Sequence, residues 1–185
     1  MARVYGIEKR LAKYPIDEAL AKEIMGSGDL IRITTRMEER LGPETTCRIL
    51  DSCACGTSQK ELTRIKAIDA ETLEEKIAKI AFLGDFHSDW IVTLNPDRTI
   101  TAGWRIGDTE AYSCVCTSAV DRNTKVCELT RDGRTMPLAY CFCCAGHCRQ
   151  HLEKLLGIRL KTKEIVSSPI NSKGQKPCAF LLEII

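Results

Sequence analysis

The hydrophobic period of the chain changes once, near Trp90, and that change limits what the chain can fold into. Upstream, apolar residues recur every three or four positions, the spacing that lines one face of a helix. LAKYPIDEALAKEIMGSGD puts Ile16, Leu20, Ile24 and Met25 on one stripe and stops at Gly26-Ser27-Gly28. DLIRITTRMEERLG starts at Asp29, a residue type that caps helices well, and ends at Gly42. PETTCRILDSCACG places Pro43 in a first turn and Gly56 at the stop. TSQKELTRIKAI pairs Thr57 or Ser58 with Glu61 in a capping signature, and ETLEEKIAKIAFLG repeats the helical spacing through Leu73, Ile77, Ile80 and Leu83. Downstream, DWIVTLNPDRTITAGW is two β-rich runs around Asn95-Pro96-Asp97-Arg98, a hairpin signal. EAYSCVC (110–116) reads as another strand and VDRNTKVCELTRDG (120–133) as a polar connection. The stretch from Tyr140 leads into a helix ending at Gly157, and IRLKTKEIVSS and KPCAFLLEII flank a second hairpin turn over Pro169–Gly174. The expected fold class is α+β: N-terminal helices over 1–86, then an antiparallel sheet with a C-terminal helix-hairpin in a cysteine-rich part over 87–185. At 185 residues this is one domain, 1–185, which buries roughly 70% of its unfolded surface and needs no covalent staples.

Charge and composition remove several function classes. The 27 basic residues nearly balance the 25 acidic ones, for a net +2, without the clustered basic excess of a nucleic-acid-binding domain. Aromatics are only 5%, too few for stacking platforms on single strands, so no nucleic-acid partner is expected. No run reaches the ~18 apolar residues of a membrane span, and the first twenty residues carry charges throughout. The expected location is the cytoplasm, with no membrane partner.

Eleven cysteines in such a chain are unusual, and the count is odd. Without a secretory signal, a disulfide framework is the weaker reading, which leaves buried small hydrophobes, metal ligands or reactive thiols. Cys47, Cys53 and Cys55 lie in an apolar helical stretch and read as core. Cys114 and Cys116, two apart on a strand, present both sulfurs to one side. YCFCCAGHCRQHLEKLLG holds Cys141, Cys143, Cys144 and Cys148 with His147 and His151. Cys144 and Cys148 share a helical face, and the positive end of the helix favours thiolates there. Zinc requires four soft or borderline donors in a tetrahedron, which this stretch and one distant strand could together provide. The spacing is not that of a zinc ribbon or a ferredoxin.

The segment from Tyr140 to Ile184 resembles the end of the 4-vinyl-reductase-like, or hydrocarbon-binding, domain. Its matching elements are Cys141, Gly146, Leu156-Gly157, Glu164, Gly174 and Cys178-Ala179-Phe180 before Leu182. The resemblance implies helices packed on an antiparallel sheet around an apolar pocket for a small hydrophobic molecule, in proteins that are often homodimers. It also implies a structural zinc in some members, with Cys141, Glu164 and Cys178 at three ligand positions. A fourth, cysteine, position falls on Ser167 and Ser168 here, so Cys143, Cys144 or Cys148 would have to complete the site.

The leading expectation is a zinc-binding protein with an apolar pocket for a small molecule, in a sensor or accessory role, the pocket lined by Phe82, Phe86, Trp90 and Trp104. A second reading is a hydrolase or thiol-dependent enzyme using Cys144 or Cys148 with His147 or His151. Against it, His147 adjoins Cys148 in sequence, and Cys144 and His151 stand two turns apart, about 10 Å along a helix. A third reading is a thiol redox switch on Cys143, Cys144 and Cys148.

Overall fold

The computed structural model describes residues 2–26, 30–53, 63, 68–82, 90–105, 112, 130–131 and 134–185. Helix α1 spans Ala2–Leu11, α2 Glu18–Met25, α3 Leu30–Leu41, α4 Pro43–Asp51 and α5 Leu73–Phe82. Each starts or stops for a local reason. The Asp17 carboxylate accepts from the Leu20 amide at 2.7 Å and caps α2, while Pro43 occupies the first turn of α4, where its missing N–H costs nothing. The inner face of α3 is mainly apolar: Leu30, Ile31, Ile33 and Met37 are buried, with Thr34 among them. The Asp29 cap, the Thr57/Ser58–Glu61 signature, Gly56 and the expected strand over 110–116 lie outside the described residues, except that Tyr112 donates its amide to the Gly174 carbonyl at 2.8 Å.

The mixed α+β architecture expected from the change of period is present. Strands β1 (Trp90–Leu94) and β2 (Thr99–Trp104) form the first hairpin, joined through Asn95-Pro96-Asp97-Arg98. Asp97 tightens that turn: its carboxylate accepts from the Thr99 hydroxyl at 2.7 Å and the Thr99 amide at 3.1 Å, which holds its pKa below the ordinary carboxylate value. A short ribbon, β3 (Thr130–Arg131) with β4 (Arg134–Thr135), stands apart from the main sheet. A 3₁₀ turn (Leu138–Tyr140) leads into α6, Cys141–Leu156, which ends where Gly157 adopts φ 69° and returns its amide to the Glu153 carbonyl. Strand β5 (Leu160–Ser167) and β6 (Cys178–Ile184) complete the main sheet in the order β1-β2-β6-β5, antiparallel throughout.

The connection between β5 and β6 is more than the hairpin turn expected. A one-turn helix, α7 (Pro169–Ser172), fills it, because Ser168 and Asn171 form a capping box. The Ser168 hydroxyl accepts from the Asn171 amide at 3.2 Å, and the Asn171 side chain accepts from the Ser168 amide at 2.8 Å. Ser167 donates to the Pro177 carbonyl at 2.7 Å, tying the two strand ends. Both serines at the position where a fourth zinc cysteine was looked for thus have local structural work.

Register fixes the inner face of the sheet. Trp104 pairs with Cys178, Ala102 with Phe180 and Ile100 with Leu182, and all six are buried. Directly opposed residues share a face, so this set points together into one core, which continues through α3, α4 and α6. Helix α6 is the central element, packed against α4 and against β5. No helix among the described residues is long and apolar enough to cross a membrane.

Candidate functional site

A central helix touched from several sides needs small residues, and the first two turns of α6 supply them. Cys141, Cys143, Cys144, Ala145, Gly146 and Cys148 are all buried. Gly146 is the extreme case: a Cβ there would come within 1.8 Å of the Asp51 carbonyl oxygen, so α4 and α6 meet backbone to backbone. Cys141, Cys144, Cys148, Leu152 and Leu155 continue as one buried stripe. Cysteine here is a compact, polarizable apolar side chain.

The electrostatics agree with packing rather than reactivity. Burial pushes the Cys148 thiol well above its ordinary pKa, and Cys148 has no exposed surface. The expected lowering by the helix end is therefore reversed at this residue, because desolvation of the thiolate outweighs a dipole that acts only over the first turn. Cys143 and Cys144 keep 6% and 5% exposure, so these thiols too are packed largely away from the surface.

The histidines lie on the neighbouring stripe. His147 and His151 lie with ring centroids 4.1 Å apart and planes tilted by 49°, and the Trp104 ring of β2 is centred 5.8 Å from that of His147. Trp104 also meets Phe180 edge to face at 5.7 Å. Trp104 is 4% exposed and belongs to the core; Phe86 lies outside the described residues, as do the side chains of Phe82 and Trp90.

The zinc donors named from the sequence do not gather. Glu164 is exposed on β5, whereas Cys178 is buried opposite Trp104, and Cys141, Cys143, Cys144 and Cys148 are buried along the first two turns of α6. Among the described residues, no group of three or more histidine, cysteine or carboxylate side chains is arranged to hold a metal ion. Cys55, Cys114, Cys116 and Cys127 lie outside those residues.

What the elements do build is a groove of about 500 Å³ between α4, α6 and the start of β5. Helix α4 buries Thr46, Ile49 and Leu50, which leaves Glu44, Cys47, Arg48 and Asp51, at i, i+3, i+4 and i+7, along its other face as one wall. Phe142 and Arg149 of α6 contribute the floor. Leu160, Lys161 and Thr162 of β5, with Ile185, form the far wall.

One end of the groove is closed by a buried polar network. Arg149 donates to the Asp51 carboxylate at 2.9 Å and to Glu153 at 3.2 Å, and the Thr162 hydroxyl donates to the other Asp51 oxygen at 2.6 Å. Glu153 in turn accepts from the Leu160 amide at 3.0 Å. Asp51 ends α4, where a carboxylate opposes the helix dipole, and Arg149 offsets that cost. The network ties α4, α6 and β5 together with its charges paired.

Cys47 faces this groove, half-buried. Burial pushes its thiol pKa up, and the nearby carboxylates of Glu38 and Asp51 push it further. Both carboxylates thus act on Cys47 in the same direction as burial. Sequence reasoning placed Cys47 in the core and passed over the α4 face, although its four-residue pattern of two carboxylates, a cysteine and an arginine was visible as the one face without an aliphatic residue.

No family model, curated protein or solved structure matches this chain. The resemblance of the C-terminal segment therefore stands on its own residues, whose structural work is plain. Gly146 admits the α4 backbone, Gly157 and Gly174 take positive φ, and Cys178 and Phe180 fill the inner face of β6. Each would be required by any helix–strand–turn–strand unit packed this closely.

Proposed function

We propose that this protein binds a small, largely apolar molecule in the groove between α4, α6 and β5. The observation that carries the reading is the groove itself. Its volume falls in the range of about 300–1,000 Å³ typical of ligand sites, and it is walled mainly by apolar surface. The charges at its closed end are paired with one another, so a ligand there need not satisfy them. This is the small-molecule half of the expectation drawn from the sequence, moved to a different set of residues. No residue is assigned a catalytic role.

The test is direct binding. A neutral environment-sensitive dye such as Nile red should bind with enhanced emission. Cys47→Phe, which fills the groove from the α4 wall, should abolish the signal while circular dichroism stays unchanged. Dye binding that is insensitive to both Cys47→Phe and Ile185→Asp would remove the groove from consideration.

A further inference from the structure

We infer that the groove selects an amphipathic anion, an apolar chain or ring carrying one carboxylate, with the head group at the rim between Arg48 and Lys161. The inference rests on the groove reading above and adds the ligand class and its orientation.

Two kinds of charge line the groove, and they are not equivalent. Arg149 and Asp51 are committed to each other, with side chains only 16% and 23% exposed. Arg48 and Lys161 are exposed on opposite walls. Arg48 makes a single long contact to the Thr45 hydroxyl at 3.4 Å, and neither cation forms an ion pair among the described residues. Glu44 is the one exposed acidic side chain on the lining, against two exposed basic side chains. The rim therefore carries a small cationic excess that the interior lacks.

Arg149, the cation on the floor, is already paired with Asp51 and Glu153, so it offers an anionic head no uncommitted partner, and the Glu38 and Asp51 carboxylates stand near Cys47. An anionic head is thereby kept out of the interior and held at the rim, while Phe142 and Leu160 receive the apolar body. A cationic head would meet Arg48 and Lys161 at the mouth and be repelled there.

The experiment is displacement of bound Nile red by decanoate, decanol and decylammonium, with the full chain and with Arg48→Ala/Lys161→Ala. The expected order is decanoate strongest, decanol next and decylammonium weakest. The double variant should weaken decanoate about five-fold, the worth of two exposed charge contacts, and leave decanol unchanged. Added salt should weaken decanoate alone. Equal competition by all three, preference for decylammonium, or a decanoate affinity untouched by the double variant overturns the ligand class and leaves the groove reading intact. No displacement by any of the three overturns the groove reading, and the ligand class with it.

Discussion

The two sides of α6 differ in what cysteine and charge do there. On the core side, Cys141, Cys144 and Cys148 are closely spaced and buried, burial raises the Cys148 thiol pKa, and the helix is as tightly packed as a backbone contact at Gly146 allows. On the groove side stands one half-buried cysteine, Cys47 of α4, beside paired charges and an open apolar floor. A high local count of cysteines therefore marks packing in this protein. Access, not number, separates the thiols that can meet a ligand from those that cannot.

The contrast can be broken by mutation. Gly146→Ala should have the largest effect, at least about 3 kcal/mol, because its methyl meets backbone that cannot rotate away. A urea midpoint close to wild type would show that α4 and α6 part easily. Asp51→Ala should cost about 2 kcal/mol by leaving Arg149 and Thr162 without their shared acceptor, less than for a fully buried pair because both side chains retain some solvent contact. Thermal denaturation of the single variant and of Asp51→Ala/Arg149→Met, which removes both charges, should show partial recovery in the double.

Smaller effects sharpen the comparison. Cys148→Ala should cost about 1 kcal/mol as a small core deletion, whereas Cys47→Ala should stay within about 0.5 kcal/mol. Equal losses at the two sites would erase the distinction. Alkylation followed by peptide mass mapping should label Cys47 in the folded protein and Cys148 only on unfolding. The rate at Cys47 should climb only above the pH range of an ordinary thiol, since its folded pKa is raised and less thiolate exists at any given pH. Asp51→Ala removes one of the carboxylates responsible and should move that profile back toward lower pH.

Much of the fold was legible because it rests on local signals. The helical stripe of α3, the Pro43 start, the Asn95–Arg98 hairpin and the Gly157 stop each depend on residues within a few positions of one another. The groove was not legible, because its walls come from residues 44–51, 142–149, 160–162 and 185, brought together only by tertiary packing. The Asp51–Arg149 pair spans 98 positions, and nothing in either segment announces the other. The role of the cysteine cluster was not legible either, for a physical reason. A small, soft side chain serves as a metal ligand and as a close-packing residue, and composition alone does not separate the two.

The strand order has a consequence for assembly during synthesis. Strand β6 is the last of the described strands along the chain, yet it lies between β2 and β5 and lends both its edges to them. The sheet therefore cannot zip until residue 184 has left the ribosome, although the helices that cover it emerge far earlier. Trp104 must wait for Cys178, a long loop closure of the kind that slows folding and leaves apolar surface temporarily bare. A nascent chain halted before β6 should present β2 as an open edge and depend on chaperones until the missing strand arrives.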